Sequence, residues 1–234
     1  EKLTGLAERV LPKRLQGSRA RMAMDFSDIG DGDNIAIVHI DGNGLGKVIR
    51  ELLEGMKKTS STEACRAYED FSGALDRATC EAGKSAFDQI DVKHDQKTLP
   101  YRALVCAGDD VTVVLRAADA VGFVKMFLGE FENNTRNEFS KIGSLCIETK
   151  HLTACAGIVF CKQSFPFVHA YELCESLCKY AKEKTNRQIS AMAFWRQTAT
   201  IADDFKDDIL NRDLKGADGL TLTMMPYVLD GGND

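Results

Sequence analysis

The sequence predicts a mixed α/β (α+β) fold: a ferredoxin-like split βαβ unit with a central, mostly antiparallel sheet and added helices. Three observations carry that expectation. Apolar runs of strand length alternate with helix-length amphipathic stretches in the order strand, helix, strand, strand, helix, strand. Two of the strand runs are separated only by Ala107-Gly108-Asp109-Asp110, short enough for a hairpin. The 234 residues are 44% hydrophobic and 28% charged, which suits one good-sized domain with its own core, or a compact domain with appendages.

The opening stretch, Glu1 to Met24, is basic, with Leu3, Leu6, Val10 and Leu15 at roughly helical spacing. Asp25 to Asn34 is rich in Asp and Gly and reads as a connector, so residues 1–34 are expected to form a helical extension and linker, and 35–234 the main domain. Ile35 to Ile40 is almost continuously apolar, as in a strand buried on both faces, and it stops abruptly at Asp41-Gly42-Asn43-Gly44. A helix follows from about Leu45 to Met56 and another from Glu63 to Ile90, where Ala64, Tyr68, Phe71, Leu75 and Ala78 share a face. Tyr101 to Cys106 and Val111 to Leu115 are the hairpin strands. A helix from Ala118 to Phe139, a strand from Leu152 to Cys161 and a helix come next. In that helix Ala170, Leu173, Cys174, Leu177, Cys178 and Ala181 form the apolar stripe. Ile189 to Trp195 returns as a strand, and the acidic tail carries a last apolar run from Leu220 to Leu229. There is no internal repeat.

The formal net charge is -5 and no basic block stands out, so a broad electrostatic grip on nucleic acid is not indicated. The eight cysteines (Cys65, Cys80, Cys106, Cys146, Cys155, Cys161, Cys174 and Cys178) lie in apolar periodic segments, with no CxxC pair. They read as reduced, buried thiols of a cytoplasmic protein. No apolar run approaches membrane-spanning length, and no signal-peptide core is present. A chain opening on Glu1 rather than Met is expected to be an excised or processed part of something longer.

The chemistry is expected where acid interrupts the strands. In a split βαβ sheet the first strand and the hairpin are central neighbours, so Asp41, Asp109 and Asp110 can converge at one edge. Either acidic turn alone is ordinary turn chemistry. Together, three carboxylates repel one another unless a cation neutralises them. Mg²⁺ or Mn²⁺ would do so, and two such ions can bind a triphosphate, activate a 3′-hydroxyl and stabilise departing pyrophosphate. Gly42, Gly44, Gly46 and Gly108 allow close backbone approach to phosphate, and a helix starting near Leu45 points its N-terminus there.

Other candidates read as structural. His39 lies inside a strand, His94-Asp95 in a polar loop without partner histidines, and Cys174 and Cys178 on a core stripe. Phe165, Phe167 and Tyr171 read as core. Lys179, Lys182 and Lys184 suit the C-terminal end of a helix, where they complement its dipole, while Lys182 is also a candidate phosphate ligand.

Ile37-Val38-His39-Ile40-Asp41-Gly42-Asn43-Gly44-Leu45-Gly46, taken with Ala107-Gly108-Asp109-Asp110, resembles the palm domain of the large subunit of type III CRISPR effector complexes. More narrowly, it is similar to bacterial proteins sharing that subunit's second palm domain. Leu152-Thr153-Ala154-Cys155-Ala156-Gly157-Ile158, Phe165-Pro166-Phe167, Tyr171-Glu172-Leu173-Cys174-Glu175 and Met225-Pro226-Tyr227 fit the same group, so the likeness spans about Ile35 to Leu229. More distantly, the hairpin and Tyr180-Ala181-Lys182 resemble GGDEF-type diguanylate cyclases.

The resemblance implies a cytoplasmic, metal-dependent palm that condenses ATP into a cyclic or linear oligoadenylate signal in antiviral defence. Asp41 and Asp109 would ligate Mg²⁺ or Mn²⁺, Asp110 would complete the site, Gly42 would lend a carbonyl, and Lys182 would meet the triphosphate. Joining two triphosphates implies a homodimer or a second palm domain, and the family suggests CRISPR ribonucleoprotein subunits as partners. Two departures stand out: the family's Gly-Gly-Asp-Asp begins with Ala107 here, and Asn43 replaces an Asp common among relatives. They leave open an inactive palm that binds nucleotide or a partner protein. A GTP-using diguanylate-type cyclase is a further alternative, which the absence of Arg four residues after Lys182 disfavours.

Overall fold

A computed structural model describes residues 9–15, 21–29, 32, 34–57, 60–92, 98–142, 148–198, 202, 204–216 and 218–229. Its elements are β1 (Asn34–Gly42), α1 (Leu45–Met56), α2 (Ser61–Asp88), β2 (Tyr101–Ala107), β3 (Asp110–Arg116), α3 (Ala120–Lys141), β4 (Ala154–Lys162), α4 (Phe167–Lys184), β5 (Ala191–Arg196) and β6 (Tyr227–Val228). They build a six-stranded sheet in the order β2-β3-β1-β4-β5-β6. All neighbours are antiparallel except β4 and β5, which α4 connects as a parallel crossover. The mixed α/β, mostly antiparallel architecture is the one expected, with β5 and β6 added beyond the split βαβ unit.

β1 is the central strand, and its near-continuous apolar run follows from burial on both faces. Ala36, Val38 and Ile40 join the core under α2 and α3, where Phe87, Phe123, Phe127 and Phe131 pack. Ile35 and Ile37 join the opposite core, under Leu173, Leu177 and Ala181 of α4. The seat of α4 is tight: a Cβ on Gly157 of β4 would run into the Cys174 carbonyl, so glycine lets helix backbone meet strand backbone. Cys174 and Cys178 donate to the carbonyls of Gly157 and Cys155 at 3.1 and 3.2 Å, which makes them core residues.

The differences from expectation have local causes. Residues 1–8 and 16–20 lie outside the described residues. The described part of the opening stretch is not one helix: Pro12 intervenes between helical Arg9–Val10 and a 3₁₀ turn at Lys13–Leu15. α2 starts at a reciprocal cap, Ser60 accepting from the Glu63 N–H while the Glu63 carboxylate accepts from the Ser60 N–H. Its apolar stripe is buried only from Phe71 onward and Tyr68 is exposed. At about 1.5 Å per residue this helix outruns the strands it covers. The Leu220 to Leu229 run yields only the short β6, with Leu220, Leu222 and Met224 exposed. Among the described residues, no helix is long and apolar enough to cross a membrane.

Candidate functional site

β1 and β3 run antiparallel with Asp41 directly opposite Asp110, and His39 opposite Thr112. Directly opposed residues share a face, here the one α4 covers. β2 and β3 close their hairpin with Ala107 opposite Asp110, leaving Gly108 and Asp109 as the turn. Gly108 takes φ +61°, as the first position of a type II′ turn requires. The turn folds back onto β1: the Gly42 N–H donates to the Asp109 carbonyl at 3.1 Å. A Cβ on Gly42 would stand 2.6 Å from the Asp109 Cβ and 2.7 Å from its Oδ2, so Asp109 lies over Gly42 only because that residue has no side chain. On the other side of the sheet, the buried Thr79 hydroxyl of α2 donates to the Gly108 carbonyl.

Lys182, in the last turn of α4, supplies the counter-charge. Its side chain is buried; its Nζ donates to the Gly42 carbonyl at 2.7 Å and stands 2.6 Å from Asp41 Oδ2. Asp41 itself is partly open to solvent. The other two carboxyls are held above the usual range. Burial raises Asp109 most, and the Asp41 charge adds to it. Burial also dominates at Asp110, where His39 pulls the other way and Asp41 again raises. Asp110 Oδ1 is buried without a hydrogen-bond partner, and His39 Nδ1 lies 3.5 Å from it. Nδ1 is also 3.2 Å from the Thr112 hydroxyl, and the ring stands edge-on to Tyr171.

The set therefore offers hard oxygen donors whose charged forms are strained, together with an orphaned carboxylate oxygen, which is donor chemistry suited to a divalent cation. Among the described residues, however, no three acidic, histidine or cysteine groups converge closely enough to hold a metal ion. The Lys182 ammonium already sits on the Asp41 carboxylate and the Gly42 carbonyl, the two donors a cation would share.

The remaining expected residues divide. Gly44 caps α1 at φ +78° without a side-chain bond, so nothing of its own covers the first turn of that helix. Asn43 is buried, and its Nδ2 is directed to Thr153 Oγ1 at 3.0 Å, Cys155 Sγ at 3.4 Å and the Ile189 carbonyl at 3.4 Å. It ties the loop after β1 to the approaches of β4 and β5. His94 and Asp95 lie outside the described residues. Phe167 stacks on Tyr171 and packs with Phe26 against the α4 core.

Beside the carboxylates opens a cleft of about 420 Å³ lined by His39, Asp41, Glu175, Lys179, Lys182 and Arg187, among others. Sequence reasoning set His39 aside, although a strand side chain two residues before Asp41 must share its face. Glu175 and Arg187 left no such signal. They reach the cleft through the seat of α4 and the left-handed turn after it, where Asn186 and Arg187 take φ 51° and 57°.

A family model described as Cas10/Cmr2, second palm domain, matches residues 34–191. Among solved structures, the active GGEEF domain of a diguanylate cyclase from Vibrio cholerae aligns with 84% of this chain and 95% of its own, at 11% identity and a TM-score of 0.39. Curated proteins give no match.

Proposed function

The chain belongs to the Cas10/Cmr2 second palm-domain family, and from that premise we propose that it is a metal-dependent nucleotidyl cyclase condensing ATP into a cyclic or linear oligoadenylate. The observation that carries the reading is the gathering of Asp41, Asp110 and Asp109 around Gly42, with Lys182 as internal cation. In this reading residues 35–234 form the palm and 1–34 an extension and linker. The setting is cytoplasmic antiviral signalling alongside CRISPR ribonucleoprotein subunits, with a second copy or a second palm completing the pair of triphosphates.

Asp41 and Asp109 would hold Mg²⁺ or Mn²⁺ with the Gly42 carbonyl, and Asp110 would complete the donor set. The ion, when bound, screens the phosphate charge and favours departure of pyrophosphate. Lys182 exchanges Asp41 for a phosphate oxygen, a move the adjoining cleft leaves room for. His39 faces Asp110 and favours its ionised form. Gly44 and the start of α1 offer backbone N–H groups to phosphate.

The test is conversion of ATP to pyrophosphate and a cyclic or linear product by the purified chain with Mg²⁺ or Mn²⁺, lost when Asp109→Ala and Asp110→Ala are combined. Unchanged turnover in the double variant removes the catalytic assignment. A second reading, a palm that binds nucleotide without turnover, is favoured by the closed Lys182–Asp41 pair and by the Asn43 Nδ2 group being taken up by Thr153 and the Ile189 carbonyl. Calorimetric binding without product distinguishes it.

A further inference from the structure

Away from the acidic edge, two thiols meet between α2 and β2. Cys80 is on the buried face of α2. Cys106 is the penultimate residue of β2, and its Sγ lies 3.9 Å from where a Cβ on Gly83, one turn past Cys80, would be. Cys80 and Cys106 lie in the same buried core, where each thiol acts on the other's ionisation. A guanidinium stands over the pair: Arg9 Nη2 donates to Cys80 Sγ at 3.2 Å and to the Asp76 carboxylate at 2.5 Å. Arg9 is 43% exposed, so solvent reaches the group touching the Cys80 sulfur.

We propose that Cys80 and Cys106 are a peroxide-responsive dithiol whose oxidation links α2 to the strand carrying the acidic turn. Cys80 is the attacking thiol: the Cys106 hydrogen bond, opposed by burial and helped by Arg9, brings its pKa down to about 7. Its sulfur takes one oxygen of hydrogen peroxide, the O–O bond breaks, and the departing hydroxide is protonated to water, leaving Cys80 as the sulfenic acid. The Cys106 sulfur then attacks the Cys80 sulfur, the S–O bond breaks, and the hydroxide that leaves takes the Cys106 proton. Two thiols lose two electrons to one peroxide, yielding a disulfide and two waters.

The position of the bond gives it a consequence. Cys106 is followed by Ala107, Gly108 and Asp109, and Thr79, next to Cys80, already holds the Gly108 carbonyl. A disulfide would add a covalent tie to the hydrogen bond by which the same turn of α2 grips the hairpin tip.

The experiment treats the full chain, carrying Cys65→Ser to remove the exposed thiol, with hydrogen peroxide under native conditions, followed by alkylation and peptide mapping. The expected result is a Cys80–Cys106 disulfide as the dominant cross-link, reversed by dithiothreitol. It should be absent in Cys80→Ser, and replaced in Cys106→Ser by a dimedone-trapped sulfenic acid at Cys80. Arg9→Met is expected to slow the oxidation on the order of tenfold. Amide hydrogen exchange across 106–111 should slow in the oxidised protein. Both thiols staying free at peroxide levels that oxidise Cys65 in the parent chain, or cross-links joining Cys80 to another cysteine, would overturn the proposal; unchanged exchange would overturn the hold on the hairpin.

Discussion

Lys182 sets its ammonium 2.6 Å from the Asp41 carboxylate while the same nitrogen donates to the Gly42 carbonyl at 2.7 Å. Such pairing offsets part of the cost of burying a cationic side chain. In the proposed site Lys182 also occupies donors that an incoming ion would need.

Metal and nucleotide should therefore bind cooperatively, because a phosphate that draws Lys182 away frees Asp41. Mn²⁺ titrations of the wild-type chain should show coupling with ATP of about 1–3 kcal/mol. In Lys182→Met, Mn²⁺ should bind more tightly without nucleotide and ATP more weakly, and the coupling should shrink. Equal Mn²⁺ affinity in both proteins would show that the ion pair does not guard the site.

The acidic turn should weaken the metal-free fold. The carboxyls of Asp109 and Asp110 are raised above the ordinary 3.8, so over the interval up to their raised values the native state holds more protons than the unfolded one. Stability then falls as pH rises through that interval, and the penalty is fully present above the raised values. Asp109→Asn should melt higher than wild type in EDTA and gain less from added Mg²⁺. Thermal scans with and without chelator check both signs, and a lower melting point in EDTA would contradict them.

Gly42→Ala brings a methyl to 2.6 Å from the Asp109 Cβ. The hairpin tip must move, at a cost of about 1–3 kcal/mol. Denaturant unfolding measures the loss, and combining the change with Asp109→Gly should restore part of it, as expected for residues in contact.

Asn43→Asp introduces a carboxylate but removes the amide donor that meets Thr153, Cys155 and Ile189. Leaving buried partners unmet costs about 1–3 kcal/mol. The expected outcome is lower stability with no gain in Mn²⁺ affinity, read by unfolding and by titration.

Much of this architecture was legible in the sequence. β1 and α4 announce themselves by period, and the hairpin by two turn residues between β-rich runs. The meeting of Asp41 with Asp110 followed from topology alone, because a split βαβ unit makes their strands neighbours. What could not be read depends on tertiary contact. The bond from Lys182 to Gly42 joins residues far apart in the chain and follows from where α4 is seated. The amide of Asn43 finds partners in two segments that no local pattern links to it. Asp and Asn look equally suited to a turn, so only the packed structure separates a charge carrier from a strut.

The absent side chain at Gly157 works at a distance. It lets α4 rest with the Cys174 carbonyl directly against β4, and Lys182 lies eight residues further along the helix, about 12 Å at 1.5 Å per residue. A rigid rod lodged at one point has little freedom to slide, so the notch works as a stop that gauges how far the ammonium reaches. Enlarging residue 157 should misplace a charge it never touches.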